Sequence, residues 1–154
     1  ARDKDGVSAI LAVLQLAAAL KAEGLTLLDR LDAIYREHGL HATGQVSVRV
    51  EDLSIISNAM ATLRTAPPAS LGGLEVTRVD DLEQGYRDLP PTDGIRLQLG
   101  ESTRIIARPS GTEPKLKCYV EVVVPVEGSI DEARTEAAAQ LDAIKADLAQ
   151  ALGL

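Results

Sequence analysis

Hydrophobic residues recur along the chain with the 3.6-residue period of a helix or the two-residue period of a strand. The first forty residues show the helical period. Apolar residues at helical spacing fill residues 7–20 and 27–35. Asp5 can cap the first helix, and Gly24 suits its C-terminal end. The first helix has almost no polar face, so the two helices carry more apolar surface than they can cover alone. We therefore expect residues 1–40 to form the edge of another domain.

Two pairs of residues have the spacing of a helix N-terminal cap. Thr26 with Asp29 marks the start of the second helix, and Ser129 with Glu132 marks the start of the last one. The last helix carries an apolar stripe at spacings of three and four residues. The stripe consists of Ile130, Ala133, Ala137, Leu141, Ile144, Leu148 and Leu152.

The second part of the chain mixes helices with strands. Residues 41–51 alternate valines with polar residues, which is typical of an extended linker or a short strand, and a third helix is predicted from about residue 52 to residue 64. From residue 74 the period changes to two, and four strands are predicted, over residues 74–79, 95–99, 103–108 and 117–126. The pattern predicts an α+β domain over residues 52–154, with a four-stranded, mostly antiparallel sheet packed with helices and residues 41–51 as the linker before it.

The turns between the last three predicted strands suggest a register. If residues 100–102 and 110–114 are the two turns, Arg104 lies opposite Glu121 and Arg108 lies opposite Lys117. A slip of one residue would exchange the two faces, but this register buries the aliphatic residues. The core face then holds Ile95, Leu97, Leu99, Ile105, Ala107, Cys118, Val120 and Val122.

The composition argues against nucleic-acid and membrane partners and favours a reducing compartment. The 154 residues carry a net charge of -7, no Phe or Trp and three Tyr, so a nucleic-acid surface is not expected. The apolar run of residues 7–20 contains Gln15 and is too short to cross a bilayer, so no membrane partner is expected. The single cysteine, Cys118, excludes an internal disulfide, and we expect a cytoplasmic protein. The chain begins without Met at a charged stretch before a helix, which indicates a piece of a longer protein.

The stretch RPSGTEP, residues 108–114, is flanked by positive charge. Residues 96–117 hold five cations and two anions within an acidic chain. Arg108 offers a planar fork to phosphate oxygens, Ser110 and Thr112 offer hydroxyl groups, and Gly111 lets the backbone approach a ligand. The alternative is an ordinary hairpin loop in which Glu113 pairs with a neighbouring cation, either Arg108 or Lys115. No metal site is expected in this chain, because the two histidines, His38 and His41, lack a neighbouring carboxylate cluster.

Two motifs resemble one known family. RPSGTEPKLKCYVE, residues 108–121, resembles the phosphate-binding loop of the phosphoglucomutase/phosphomannomutase (α-D-phosphohexomutase) family. RDKDG, residues 2–6, followed by an Ala- and Leu-rich helix, resembles the end of the third domain of that family. The resemblance implies that residues 1–40 are the C-terminal helices of an α/β domain. It further implies that residues from about 45 onward are the fourth domain, with a fold like that of the TATA-binding protein.

The resemblance also assigns residues. It implies that Arg108, Ser110, Gly111 and Thr112 bind the phosphate group that is not being transferred. Lys117, where many relatives have Arg, would add charge at the rim of this site. Lys4 matches a lysine that faces the active site in relatives and assists proton transfer or phosphate binding; its alternative role is that of a solvated lysine before a helix.

Members of the family interconvert sugar 1-phosphates and 6-phosphates through a phosphoserine and a bisphosphate intermediate. This chain has no counterpart of the phosphoserine motif, of the Asp-rich loop that holds Mg²⁺ or of the loop that recognises the sugar. The resemblance therefore implies a phosphosugar partner held through its phosphate, contacts with the remaining domains, and Mg²⁺ bound outside this chain. No mutase activity is expected from the chain alone.

Two other functions remain open from the residues: a stand-alone, non-catalytic module that binds or senses a phosphorylated ligand, and a structural dimerisation domain. The sugar is equally open, because glucose, mannose and pentose phosphates share the phosphate group.

Overall fold

Four α-helices and six β-strands follow one another in the part of the chain that the computed structural model describes, residues 4–153. A short 3-10 helix, Leu82–Gln84, opens the long connection between the third and fourth strands. In chain order the elements are α1 (Gly6–Ala22), α2 (Leu27–His38), β1 (Leu40–Arg49), α3 (Leu53–Thr65), β2 (Ser70–Leu71), β3 (Leu74–Asp81), β4 (Ile95–Leu99), β5 (Thr103–Pro109), β6 (Lys115–Val124) and α4 (Ile130–Leu152).

The strands form one antiparallel sheet in the order β1-β6-β5-β4-β3-β2. The α+β class is confirmed, but the predicted count of four strands is wrong, because β1 and β2 extend the sheet at its two edges. Of the two alternatives for residues 41–51, a strand is formed and not an unpaired linker, since β1 pairs with β6 from Leu40 to Arg49. Such pairing satisfies the outer backbone groups of β6, which a four-stranded sheet would leave exposed. The two residues of β2 are too few to show a period.

The predicted register of the central strands is confirmed. Leu97 lies opposite Ile105, Arg104 opposite Glu121, and Arg108 opposite Lys117. All eight residues predicted for the core face are at most 2% exposed. The register therefore leaves the cations together on the other face of the sheet, which we call the open face.

Helices α3 and α4 cover the core face. Helix α4 packs against β1 and β6, and its predicted apolar stripe is buried along its whole length. Helix α3 packs against β4 and β5 through Ile56, Met60 and Leu63. The capping pairs at Thr26 and Ser129 are both formed as complete capping boxes. Burial of these aliphatic side chains, at about 25 cal/mol per Å² of apolar surface, is the main force that holds the helices on the sheet.

Helices α1 and α2 leave much of their apolar surface exposed. Val7, Ile10 and Leu14 of α1 are 74%, 62% and 60% exposed, and the helix packs mainly against α2. Within residues 4–153, no single helix is long and apolar enough to cross a membrane; α1 and α2 meet that criterion only as a pair bent by 93°. The assignment of residues 1–40 to a preceding domain stays a prediction.

Candidate functional site

The loop of residues 110–114 joins β5 to β6 and is held by main-chain hydrogen bonds at both ends. The Ser110 N–H donates to the Lys115 carbonyl at 2.8 Å, and the Lys115 N–H donates to the Glu113 carbonyl at 2.7 Å. A third bond comes from outside the hairpin, because the Val50 N–H donates to the Pro114 carbonyl at 3.0 Å. The loop is therefore anchored both to its own strands and to the end of β1.

The tip of the loop presents donors that have no acceptor. Within residues 4–153, the backbone N–H groups of Gly111, Thr112 and Glu113 donate no hydrogen bond, and neither do the hydroxyls of Ser110 and Thr112. Successive unused N–H groups in a turn are the usual components of an anion-binding nest. The sequence-predicted Ser110, Gly111 and Thr112 thus lie together, with their donors available to a ligand.

Gly111 is not needed for the shape of the loop. Its φ does not lie in the left-handed region, and a Cβ atom built on it would meet nothing within 4 Å. An alanine would therefore fit the backbone here without a bound ligand. The absence of a side chain instead leaves the space above the loop open to an approaching anion.

Arg108 and Lys117 stand out among the cations of the open face. They are direct cross-strand partners, and in the described part of the chain neither forms an ion pair with a carboxylate. The other four arginines of the open face and its loop end each pair with a carboxylate. These pairs are Arg49 with Glu113 at 2.6 Å, Arg78 with Asp80 at 2.6 Å, Arg96 with Asp80 at 3.0 Å, and Arg104 with Glu121.

The ion pair that the hairpin-loop alternative expects is present, because Lys115 is one of the two partners it allows for Glu113. Glu113 does pair with Lys115, with 3.0 Å between Nζ and Oε1, but its second partner is Arg49 and not Arg108. The hydrogen bond from Lys115 lowers the pKa of Glu113, and the charges of Lys115, Arg49 and Lys117 lower it further. Glu113 is therefore ionised at neutral pH and neutralises two cations at the edge of the site, while Arg108 stays available.

Arg49 is a member of this cluster that the sequence analysis missed. It lies 64 residues before Glu113, outside the loop motif, in a segment predicted to be an extended linker or a short strand. The pairing of β1 with β6 places it opposite Lys115. The available signal was the alternation of Val46, Val48 and Val50, which puts Arg49 on the polar face of a strand.

Neither Lys4 nor either histidine forms a hydrogen bond or an ion pair with the loop among the described residues. Lys4 precedes α1 and is exposed, and no hydrogen bond or ion pair is found for it within the described residues, so its role stays a prediction. His41 faces Glu121, with 3.5 Å between Nδ1 and Oε1, while His38 lies beside Glu37. Among residues 4–153, no group of three or more His, Cys, Asp or Glu side chains could hold a metal ion.

A cleft of about 350 Å³ lies beside the loop on the side of α3. Leu53, Ile56 and Met60 form its apolar side, and Ser110 and Glu113 belong to the opposite wall. Arg64 also lines this cleft and pairs with three carboxylates: Asp81 at the end of β3, and Glu83 and Asp93 in the connection between β3 and β4. The long connection is thereby attached to α3, and the loop remains accessible from this side.

Known proteins resemble this chain in sequence and in fold. Residues 46–151 match the family described as "Phosphoglucomutase/phosphomannomutase, C-terminal domain". A probable phosphomannomutase of Haemophilus influenzae is 43% identical over 120 residues, which are 78% of this chain and 24% of that protein. A phosphoglucomutase of Staphylococcus aureus is 35% identical over 138 residues, which are 80% of this chain and 25% of that protein. A phosphopentomutase of Mus musculus is 34% identical over 139 residues, which are 80% of this chain and 22% of that protein.

One solved structure shows the same fold. The open form of the exocytosis-sensitive phosphoprotein pp63/parafusin, a phosphoglucomutase from Paramecium, superposes with a TM-score of 0.63 at 21% identity. The match covers 99% of this chain and 28% of that structure. The chain thus spans about a quarter of the length of the relatives it matches. The family match includes the last four residues of β1, the central strands, the loop and nearly all of α4. The chain therefore belongs to the phosphoglucomutase/phosphomannomutase family through its C-terminal domain.

Proposed function

We propose that this chain supplies the phosphate clamp of a phosphosugar mutase. The observation that carries the proposal is the pairing of Arg108 with Lys117 across two strands, without a carboxylate partner for either within residues 4–153. Two like charges directly opposite each other destabilise a sheet unless an anion lies between them. A dianionic phosphate removes this repulsion and gains charge-assisted hydrogen bonds from both side chains.

The loop tip completes the clamp. The N–H groups of Gly111 and Thr112 and the hydroxyls of Ser110 and Thr112 have no acceptor in the described residues, and all four can donate to phosphate oxygens. Arg108 binds two oxygens through its planar guanidinium, whereas Lys117 contributes a single point charge. The set is specific for a phosphate group and carries no information about the sugar.

The clamp contributes positioning to the reaction. We propose that it holds the phosphate that stays on the sugar, so that the other end of the sugar meets the phosphoryl donor in a fixed orientation. Transfer through a phosphoserine and a sugar bisphosphate, and an Mg²⁺ ion that neutralises the transferred group, are proposed to involve residues outside this chain. The remaining domains of such an enzyme are its proposed partners, and a cytoplasmic location is proposed with them.

A titration of the ¹⁵N-labelled 154-residue chain with inorganic phosphate tests the clamp. We expect saturable shifts of the Gly111, Thr112 and Glu113 amide signals, and much smaller shifts with chloride at equal ionic strength. Glucose 6-phosphate and mannose 6-phosphate should shift the same amides, because the phosphate is the shared recognised group. Amides that stay unmoved at 20 mM of each ligand would overturn the proposed function.

An activity assay separates the clamp from a complete enzyme. The chain alone is expected to bind glucose 1-phosphate without converting it to glucose 6-phosphate, with or without Mg²⁺. Magnesium-dependent turnover by the purified chain would contradict the proposed division of the site.

A further inference from the structure

Arg49 and Glu113 form the contact that ties the end of β1 to the candidate phosphate loop. The distance between Arg49 Nη2 and Glu113 Oε1 is 2.6 Å, which is short for a charge-assisted hydrogen bond. Lys115 Nζ lies 3.0 Å from Oε1 and 3.1 Å from Oε2 of the same carboxylate. Glu113 therefore lies between two cations that the pairing of β1 with β6 places directly opposite each other.

The same strand end also holds the loop through its backbone. Val50, the residue after Arg49, donates its N–H to the Pro114 carbonyl at 3.0 Å. The last residue of β1 and the residue after it thus contact two consecutive residues of the loop, one through a side chain and one through the main chain. One contact holds Glu113 and the other holds its neighbour Pro114, and the unused amides of residues 111–113 end at Glu113.

We infer that Arg49 is a positioning residue for the phosphate loop, acting through the carboxylate of Glu113. This inference rests on the proposed function, and it adds a residue from outside the loop motif to the site. Arg49 does not contact the phosphate; it holds Glu113, and Glu113 in turn holds the three amides in the orientation that receives the anion. Preorganised amides bind more tightly, because less conformational freedom is lost when the ligand arrives.

A purely electrostatic role makes the opposite prediction for Glu113. If net charge alone mattered, replacing Glu113 with Ala would remove a negative charge beside an anion site and strengthen phosphate binding. If the carboxylate positions the loop, the same replacement weakens binding, although the site becomes more positive. The sign of this one change therefore separates the two explanations.

The test is a double-mutant cycle of R49A, E113A and the double variant, measured by the phosphate titration of the ¹⁵N-labelled chain. We expect R49A and E113A each to raise the Kd for phosphate by about three- to tenfold. The double variant should be no weaker than E113A alone, and R49K should recover part of the loss. Arg134→Ala is the matched control. It also removes one positive charge, from the ion pair that Arg134 of α4 forms with Asp32 of α2, and it should leave the Kd for phosphate unchanged.

A second readout needs no ligand. In phosphate-free buffer the heteronuclear ¹⁵N NOE of the amides of residues 111–113 should fall in R49A and E113A and stay at the wild-type value in R134A. Unchanged amide signals from β4, β5 and β6 show that each variant is folded. Both Arg49 and Glu113 are partly exposed, so the fold is expected to tolerate their replacement.

The outcomes distinguish this inference from the proposed function. If phosphate does not shift the wild-type amide signals of residues 111–113, the proposed function is overturned, and the role of Arg49 with it. Wild-type binding together with an unchanged Kd in R49A, a tighter Kd in E113A or strictly additive effects would overturn the positioning role alone. Loss of binding and of loop order in both single variants, without further loss in the double variant, would establish it.

Discussion

Arg108 of β5 and Lys117 of β6 are direct cross-strand partners, and neither forms an ion pair with a carboxylate anywhere in residues 4–153. Four residues away on each of the same two strands, Arg104 lies opposite Glu121 and is neutralised by it. The two pairs share strands, face and exposure to solvent, but only one contains its own counterion. This contrast favours the first pair as the proposed site for an external anion, while the second is a structural ion pair.

Replacing Arg108 with Ala is expected to raise the Kd for phosphate about tenfold or more, because hydrogen bonds to charged groups are worth about 1.5–3 kcal/mol. Without phosphate, the free energy of unfolding should stay constant or rise by up to about 0.5 kcal/mol, since a like-charge pair is removed. Phosphate titration and urea denaturation measure the two effects.

Arg104→Ala is the control on the same strand and face. It should lower the free energy of unfolding by up to about 1 kcal/mol, as expected for an exposed ion pair, and change the Kd for phosphate less than about twofold. Equal losses of phosphate affinity in R104A and R108A would contradict the distinction between the two pairs.

Gly111→Ala should separate binding from folding. The added Cβ meets no atom within 4 Å, so the free energy of unfolding should change by less than about 0.5 kcal/mol, whereas phosphate binding should weaken because a methyl group enters the approach path. Gly72→Ala is the opposite case.

Gly72 has φ +57°, and the Cβ atom of an alanine there would lie 2.6 Å from Ile144 Cγ1. This change should therefore destabilise the fold by about 1–3 kcal/mol. A stable G72A or an unstable G111A would show that the backbone at these turns differs from the one described.

The ionisation of Glu113 should be visible in the pH dependence of the loop. Its pKa lies below the ordinary value, first because Lys115 donates a hydrogen bond to it and then because of the surrounding positive charges. The stabilisation from this carboxylate is therefore present above the ordinary Glu pKa and is lost as the pH falls through the lowered value. A ¹³C-detected NMR titration of the side-chain carboxyl should give a midpoint below 4.5, and K115A should move it upward more than R49A does. A midpoint that neither variant moves would rule out these contacts in solution.

Cys118 should be chemically silent in the folded protein. It is fully buried on the core face, and burial raises the pKa of its thiol to about 12. A thiol reagent such as DTNB should not react at pH 8 until guanidinium chloride unfolds the chain, after which one thiol per chain should react. Because the unfolded thiol loses its proton at its ordinary pKa, near 9, the stability from this group should decline as the pH rises from about 9 towards 12. Rapid labelling under native conditions would place Cys118 outside the core.

The helices and the central sheet could be predicted from short-range features of the sequence. Capping pairs at Thr26 and Ser129 mark helix starts because their side chains satisfy nearby backbone donors, a requirement met within four residues. The register of β4, β5 and β6 follows from alternation and tight turns, since any slip would expose aliphatic residues that the correct pairing buries. These features also placed Arg108 beside Lys117.

The edges of the sheet could not be predicted in this way. Alternation in residues 41–51 indicates an extended segment, but it does not specify a pairing partner, and the partner β6 begins more than sixty residues later. The two-residue strand β2 has no pattern of its own and depends on its pairing with β3. Such pairings are decided by which edge remains unsatisfied once the central strands have formed.

The sequence by itself determined the loop motif, its flanking cations and the buried face of the central strands, because these depend on residue type and on local spacing. Only the tertiary structure decided which of those cations are already neutralised and which remain available. It brought Arg49 to Glu113 across 64 residues and left Arg108 and Lys117 without a carboxylate among the described residues. Charge pairing between strands depends on contacts between residues that are distant in sequence. A local sequence pattern does not predict such contacts.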